Sequence, residues 1–388
     1  MLVGDTTISW TARPGTRGRT WNPTQGCWPV SPGCANCYAC RQAARFSGVG
    51  KPFHGLVKLG KKRSGTPPKW TGEVKFAAHK LIEPLSWREP STVFVDSMSD
   101  LFYEEFTFEQ IAAVYGIMAF TKRHTYQILT KRPKRRREFF EWLDEKAQER
   151  LAKFAGVETI AAYDWRAAIC WEYAVAAYPP LEFSAWHSEH YETAHTTAWP
   201  LVNVWEGVSA ENQEMYNDRV FELALLREDY DIAITFVSCE PLLGPIDPDP
   251  SYCGTCGEFE EGVVDDLEDG TVTQPTCREC GDEVGSLGSM TPDWLIAGCE
   301  SGPGARPCEV TWFKELRDAC AWSGIAFFHK QAVLVDGVIT AGDRSHKKGR
   351  GHGGDVIELP YLEGVQHANF PEVDPDGLRL VPAEDAHA

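Results

Sequence analysis

The chain has 388 residues, 43% hydrophobic and 24% charged, which suffices for one large packed domain or two smaller ones. A formal net charge of −18 excludes a grip on nucleic acid spread over the whole surface and leaves only local basic patches, at residues 51–63 and 131–137. No apolar run reaches the roughly 18 residues of a membrane span, and the N-terminal residues lack the order of a signal peptide, so a cytoplasmic protein that touches no membrane is expected.

In chain order, a first strand is expected between residues 7 and 21. Short apolar, β-branched runs predict further strands at 92–95, 125–129, 202–208, 232–237 and 294–297. Helices are predicted at 108–120, 135–154, 212–226 and 311–323. Strands alternating with helices indicate parallel βα units and an α/β fold whose body spans residues 1–340. Two stretches read as insertions in that body. Residues 144–200 hold Trp165, Trp171, Trp186, His187, His190 and His195 and are expected to be helical, while 252–284 is rich in cysteine. Residues 341–388 form a C-terminal extension of irregular composition.

Each expected strand ends in polar residues: Asp96-Ser97-Met98-Ser99-Asp100, Thr130-Lys131-Arg132, Ser209-Ala210-Glu211-Asn212, Ser238-Cys239-Glu240 and Gly298-Cys299-Glu300-Ser301. In a parallel βα barrel the C-terminal strand ends share one mouth, where such groups meet a ligand. Helix capping is the alternative use of the same residue types. Lys131 and Arg132 suit a carboxylate or phosphate, the arginine bidentately. Lys330 follows an apolar run and is a further mouth candidate.

Thirteen cysteines are many for a reducing compartment, where clustered thiols point to metal or redox chemistry. Cys27, Cys34 and Cys37 give C-x6-C-x2-C on a loop rich in Gly and Pro. A 4Fe-4S cubane takes one thiolate per iron, so three cysteines leave one iron open to chelate S-adenosylmethionine (SAM). Cys40 as a fourth ligand would close the cluster, and zinc is the other occupant that this spacing admits. Cys253, Cys256, Cys277 and Cys280 give C-x2-C-x20-C-x2-C, two knuckles of the kind that hold a structural Zn2+ in a small ribbon.

The string WNPTQGC-x6-C-x2-CYA, followed in order by DSMSDLF, ILTKRP, GVSAENQ, EPLLGP and GCESGPGARP, closely resembles the phage "gp thirty-seven / gp sixty-eight" family of radical-SAM-like proteins. The resemblance runs from Trp21 to about Gln331, apart from the two insertions. The Cys-x2-Cys-Tyr-Ala ending is also similar to spore photoproduct lyase. The cysteine spacing departs from the commonest radical SAM pattern, C-x3-C-x2-C.

The resemblance implies a partial (β/α)6 TIM-like barrel of the radical SAM type, with the cluster on the loop after the first strand; the zinc-ribbon insertion in that barrel is expected from the cysteine spacing alone. The resemblance places Ser97, Ser99 and Asp100 at the methionine part of SAM. From their places at the strand ends, Ser209, Glu211, Asn212 and Glu300 are candidates for the ribose or the substrate, and Glu240, Lys330 and Cys299 for catalysis, Cys299 as a hydrogen-atom donor or else as an inert buried thiol. The expected activity is formation of a 5'-deoxyadenosyl radical for modification or repair of a nucleobase or nucleotide, in a host cytoplasm if phage-encoded. Such chemistry needs an external electron donor, and DNA or a nucleotide and an accessory protein are candidate partners. The alternative is a non-catalytic, metal-stabilised protein that binds nucleic acid or protein.

Overall fold

The computed structural model of the chain describes residues 5–6, 8–11, 13–61, 66–153, 164–182, 197–253, 259–260, 277, 279–282, 284–286, 291–300, 304–335, 338–340, 355–357, 361–362, 365–366 and 369–371. Its first strands are β1 (Arg17–Trp21), β2 (Thr24–Gln25), β3 (Val57–Lys58), β4 (Lys69–Trp70), β5 (Lys75–Phe76), β6 (Ser91–Val95), β7 (Thr125–Thr130), β8 (Val204–Ser209) and β9 (Thr235–Cys239). The helices among and after them are α1 (Tyr38–Arg45), α2 (Phe108–Phe120), α3 (Pro133–Ala152), α4 (Trp165–Ala177) and α5 (Gln213–Tyr230). Two compact units divide the chain. One holds Met1–Ser209 with Asp229–Phe236, the other Ala210–Glu228 with Val237–Pro371.

In the first unit β1, β6, β7 and β8 lie side by side and parallel, so that Trp21, Val95, Ile128 and Glu206 share one face. Every residue of β6 and β8 is buried. Such continuous burial is what a parallel sheet covered on both faces requires. On one face, Tyr115 of α2 donates to Glu206 at 2.7 Å and Arg136 of α3 pairs with the same carboxylate at 3.3 Å. On the other, Trp10 packs on Phe94 at 4.7 Å and the Arg13 guanidinium lies over the Trp205 ring.

Helix α2 starts in a capping box, Thr107 with Gln110, and buries every side chain from Ile111 to Phe120. A helix apolar on all sides needs cover on all sides. Helix α4 supplies it: Trp171 meets Phe120 at 4.7 Å, and a Cβ on Gly116 would stand 2.3 Å from the Cys170 carbonyl oxygen. Helix α3 runs unbroken through Asp144, where the first insertion was expected to begin. Trp186, His187, His190 and His195 lie outside the described residues.

The second unit holds β10 (Ser251–Cys253), β11 (Phe259–Glu260) and β12 (Val284–Ser286), an antiparallel sheet with β10 in the middle. Its parallel strands are β13 (Trp294–Gly298) and β15 (Ala326–Val335), with β14 (Pro307–Cys308) and α6 (Val310–Trp322) between them in sequence. Trp294 is enclosed by Phe328 and Phe370. Past residue 340, Asp355–Ile357 pairs with β15, and Tyr361–Leu362 makes a hairpin with Val365–Gln366. Parallel strands joined through helices in both units make the chain α/β. No helix among the described residues is long and apolar enough to cross a membrane.

Candidate metal centre

The cysteine loop begins where β1 ends. Gly26 has φ +97°, and a Cβ there would stand 2.3 Å from the Glu73 carbonyl oxygen, so only glycine carries the chain into Cys27. Pro32–Cys34 forms a 3-10 turn, and Cys37 caps the N-terminus of α1, its sulfur accepting from the Cys40 N–H at 3.5 Å. All three thiols are partly exposed. Cys40 is not: only 2% exposed, it packs with Ala39, Ala43, Phe53, Leu56 and Trp70 in a small core. Burial pushes the Cys27 thiol up to about 12, with nearby Asp100 adding to the rise and Arg132 opposing it. Burial also raises Cys37, against hydrogen bonds that favour its thiolate.

The residues after β6 hold this loop in place. Asn22 Oδ1 accepts from Ser97 Oγ and the Met98 N–H, each at 3.0 Å, and Ser99 Oγ donates to the Gly26 carbonyl at 2.6 Å. Tyr38 donates its hydroxyl to the Ser97 carbonyl at 2.9 Å. Asp100 accepts from Thr130 Oγ1 at 2.7 Å and from Arg132 Nη1 and the Lys131 N–H at 3.1 Å each. Arg132 also donates to Glu104 and, at 2.8 Å, to the carbonyl of Trp28, next to Cys27, while its guanidinium lies over the Tyr103 ring. Burial opposes its charge, yet Asp100, Cys27 and Glu104 together raise its pKa above the usual guanidinium range. Lys131 Nζ donates to Ser209 Oγ. The structure thus gathers Ser97, Ser99 and Asp100 about the loop, Asp100 acting through Arg132, while Ser209 is tied to Lys131.

Sequence reasoning gave Asp96 no role of its own. Its φ of 56° is a left-handed conformation that Asp tolerates, and its Oδ1 accepts from the Thr24 N–H at 3.1 Å. Oδ2 is buried without a hydrogen-bond partner, and burial pushes the carboxyl up to about 8. The only signal in the sequence is an acidic residue directly after the apolar run Val93-Phe94-Val95.

In the second unit the remaining candidates are paired within the chain. Glu240 meets Lys330 at 2.7 Å and accepts from Ser238 Oγ at 3.2 Å. Glu211, fully buried, pairs with Arg219 at 3.1 Å. Glu300 is held bidentately by Arg306, at 2.5 and 3.0 Å. Asn212 Oδ1 accepts from the Met215 N–H at 3.0 Å at the start of α5, which is the capping use of that residue. The Cys299 thiol donates to Cys308 across 3.0 Å, both sulfurs being buried. Ser301 lies outside the described residues.

The sulfurs of Cys253, Cys277 and Cys280 lie within 4.8 Å of one another, close enough to share one metal ion. A turn closed by Gly281 N–H to the Cys277 carbonyl, with Gly281 at φ +78°, presents the second knuckle. Cys256 lies outside the described residues. The thiols of Cys27, Cys34 and Cys37 are not drawn that close together.

A sequence profile described as "Protein of unknown function (DUF5131)" matches residues 5–359, and the chain belongs to that family. No curated protein and no solved structure matches it.

Proposed function

We propose that this family member is a radical SAM enzyme, with a 4Fe-4S cluster on Cys27, Cys34 and Cys37 and one iron left for SAM. The observation that carries the reading is the donor set itself: three part-exposed thiols on one loop, with the fourth cysteine turned into an apolar core. A cubane that takes each thiolate on a different iron would be left with one iron open. Bound together, cluster and SAM supply a 5'-deoxyadenosyl radical. The strand run is read as a partial (β/α)6 barrel of the radical SAM type. The substrate class is a nucleobase or nucleotide, in keeping with the resemblance to phage proteins, and electrons come from an external donor.

The chain's own residues act on position and charge. Arg132 fixes the loop through the Trp28 carbonyl and offsets thiolate charge at Cys27. Asn22, Ser97 and Ser99 lock the loop against the strand end. In the second unit, Cys253, Cys277 and Cys280 are read together with Cys256 as a structural Zn2+ site, tetrahedral and closed.

The test is anaerobic reconstitution with iron and sulfide, reduction, and assay of SAM for 5'-deoxyadenosine. Production that vanishes in Cys34→Ala is the expected result. A cluster that binds without cleaving SAM, or a loop that takes only zinc, would overturn the reading.

A further inference from the structure

We propose that residues 41–61 and 66–80, in the first unit, form a docking face for single-stranded nucleic acid beside the cysteine loop. The proposal deepens the substrate reading above. It stands on charge, exposure and a cavity. Eight lysines and arginines fall in these two stretches against one acidic residue, Glu73, whereas the rest of the chain has 30 basic and 55 acidic residues. A concentrated positive patch on a protein this acidic is the electrostatic footprint of a polyanion site.

The fold leaves Arg45, Lys51, Lys58, Lys61, Lys69 and Lys75 exposed. Phe53, Leu56 and Trp70 pack with Ala39 and Ala43 in the small core under the loop, and the alternation of β3 and β4 sends Lys58 and Lys69 the other way. Those two lysines are exposed and directly opposite each other, a cross-strand pair that repels in water and that phosphate relieves. In the same unit, an open pocket of about 600 Å3 is lined by Gln25, Lys51, Lys75, Phe76, His79 and Lys80. Gln25 belongs to β2, two residues before Cys27, so the cavity adjoins the loop.

Aromatic exposure points to the kind of polyanion. Among the described residues, six of the eight exposed large hydrophobics lie between Trp28 and Leu59, Tyr38 and Phe46 included. Aromatic rings interleaved with cations form stacking platforms for unpaired bases. A duplex keeps its bases stacked on one another and leaves such rings unused.

The test measures anisotropy of a labelled single strand of roughly 16 nucleotides across a salt series, without SAM or reductant. In the Lys51→Ala/Lys58→Ala/Lys69→Ala variant the slope of log K against log salt should become shallower by about 2. Phe46→Ala should weaken binding by at least about five-fold. Lys122→Ala, an exposed control on the same unit, should change nothing, and circular dichroism verifies each fold. An unchanged slope in the triple variant, equal competition by duplex, or binding only to phosphatidylserine vesicles would overturn the proposal. Loss of SAM cleavage with oligonucleotide binding intact would sink the radical reading alone, and the reverse pattern would sink this one alone.

Discussion

Replacing Arg132 should loosen the cysteine loop before it unfolds the protein. The guanidinium reaches Asp100 at 3.1 Å with both side chains under a tenth exposed, and Glu104 at 3.0 Å where the carboxylate is 59% exposed. Its third contact is the Trp28 carbonyl. Leaving a buried charge without its partner costs about 3–5 kcal/mol, the exposed Glu104 pair about 0–1, and a hydrogen bond from a charged donor about 1.5–3. Arg132→Lys keeps a positive charge near Asp100 but lacks the planar fork that reaches Trp28 as well, so a loss of roughly 2 kcal/mol is expected. Arg132→Gln, which abandons Asp100 too, should lose roughly 4–5 kcal/mol. Against a typical total of about 5–15 kcal/mol, the lysine variant still folds. Hydrogen-exchange mass spectrometry over residues 21–37, with iron content after reconstitution, reads the local effect. Faster exchange there and less iron are expected in the lysine variant, more strongly in the glutamine variant. Unchanged exchange and full iron in Arg132→Gln would refute the reasoning.

Asp96→Asn should flatten the dependence of stability on pH. The folded carboxyl, raised to about 8 by burial, holds a proton that the unfolded chain releases at ordinary carboxylate pH, so stability falls as pH climbs between those values, by at most about 1.4 kcal/mol per pH unit. Denaturation midpoints near the two ends of that window check this, and a wild type no steeper than the variant would count against it. Gly26→Ala forces a side chain into φ +97° and against the Glu73 carbonyl, so iron binding should drop sharply while the far-ultraviolet circular dichroism stays native. The Cys253, Cys277 and Cys280 group should bring about one equivalent of zinc, read by elemental analysis. Cys277→Ser should remove it without lowering iron, and zinc retained in that variant would place the metal elsewhere.

Much of the architecture was legible because the buried strands are short apolar runs with polar ends. Helix 108–120 has the same bounds in sequence and structure. Two strands start later than periodicity suggests. Asn203 spends its amide on the carbonyls of Met118 and His124, so β8 begins at Val204, and Asp231 at φ 51° turns the chain ahead of β9. Proline at the first turn lets α3 start at Pro133, ahead of the expected 135. The cysteines of the candidate centre were legible from spacing. How the polar strand ends pair was not, since partners such as Asn22 with Ser97 and Asp100 with Arg132 lie far apart in sequence. Arg132 does hold carboxylates, as its chemistry suggested, but they are the chain's own.

Helix α4 also bears on how the family varies. Gly116 is small because the Cys170 backbone presses on it, and Phe120 is apolar because Trp171 covers it. A relative that dispensed with residues 165–177 would expose a wholly hydrophobic helix to water. It would have to rewrite the outer side of α2 in polar residues, and the constraint on Gly116 would disappear with the backbone that imposes it. Length variation in this stretch should therefore travel together with substitutions on α2, a linkage visible in alignments.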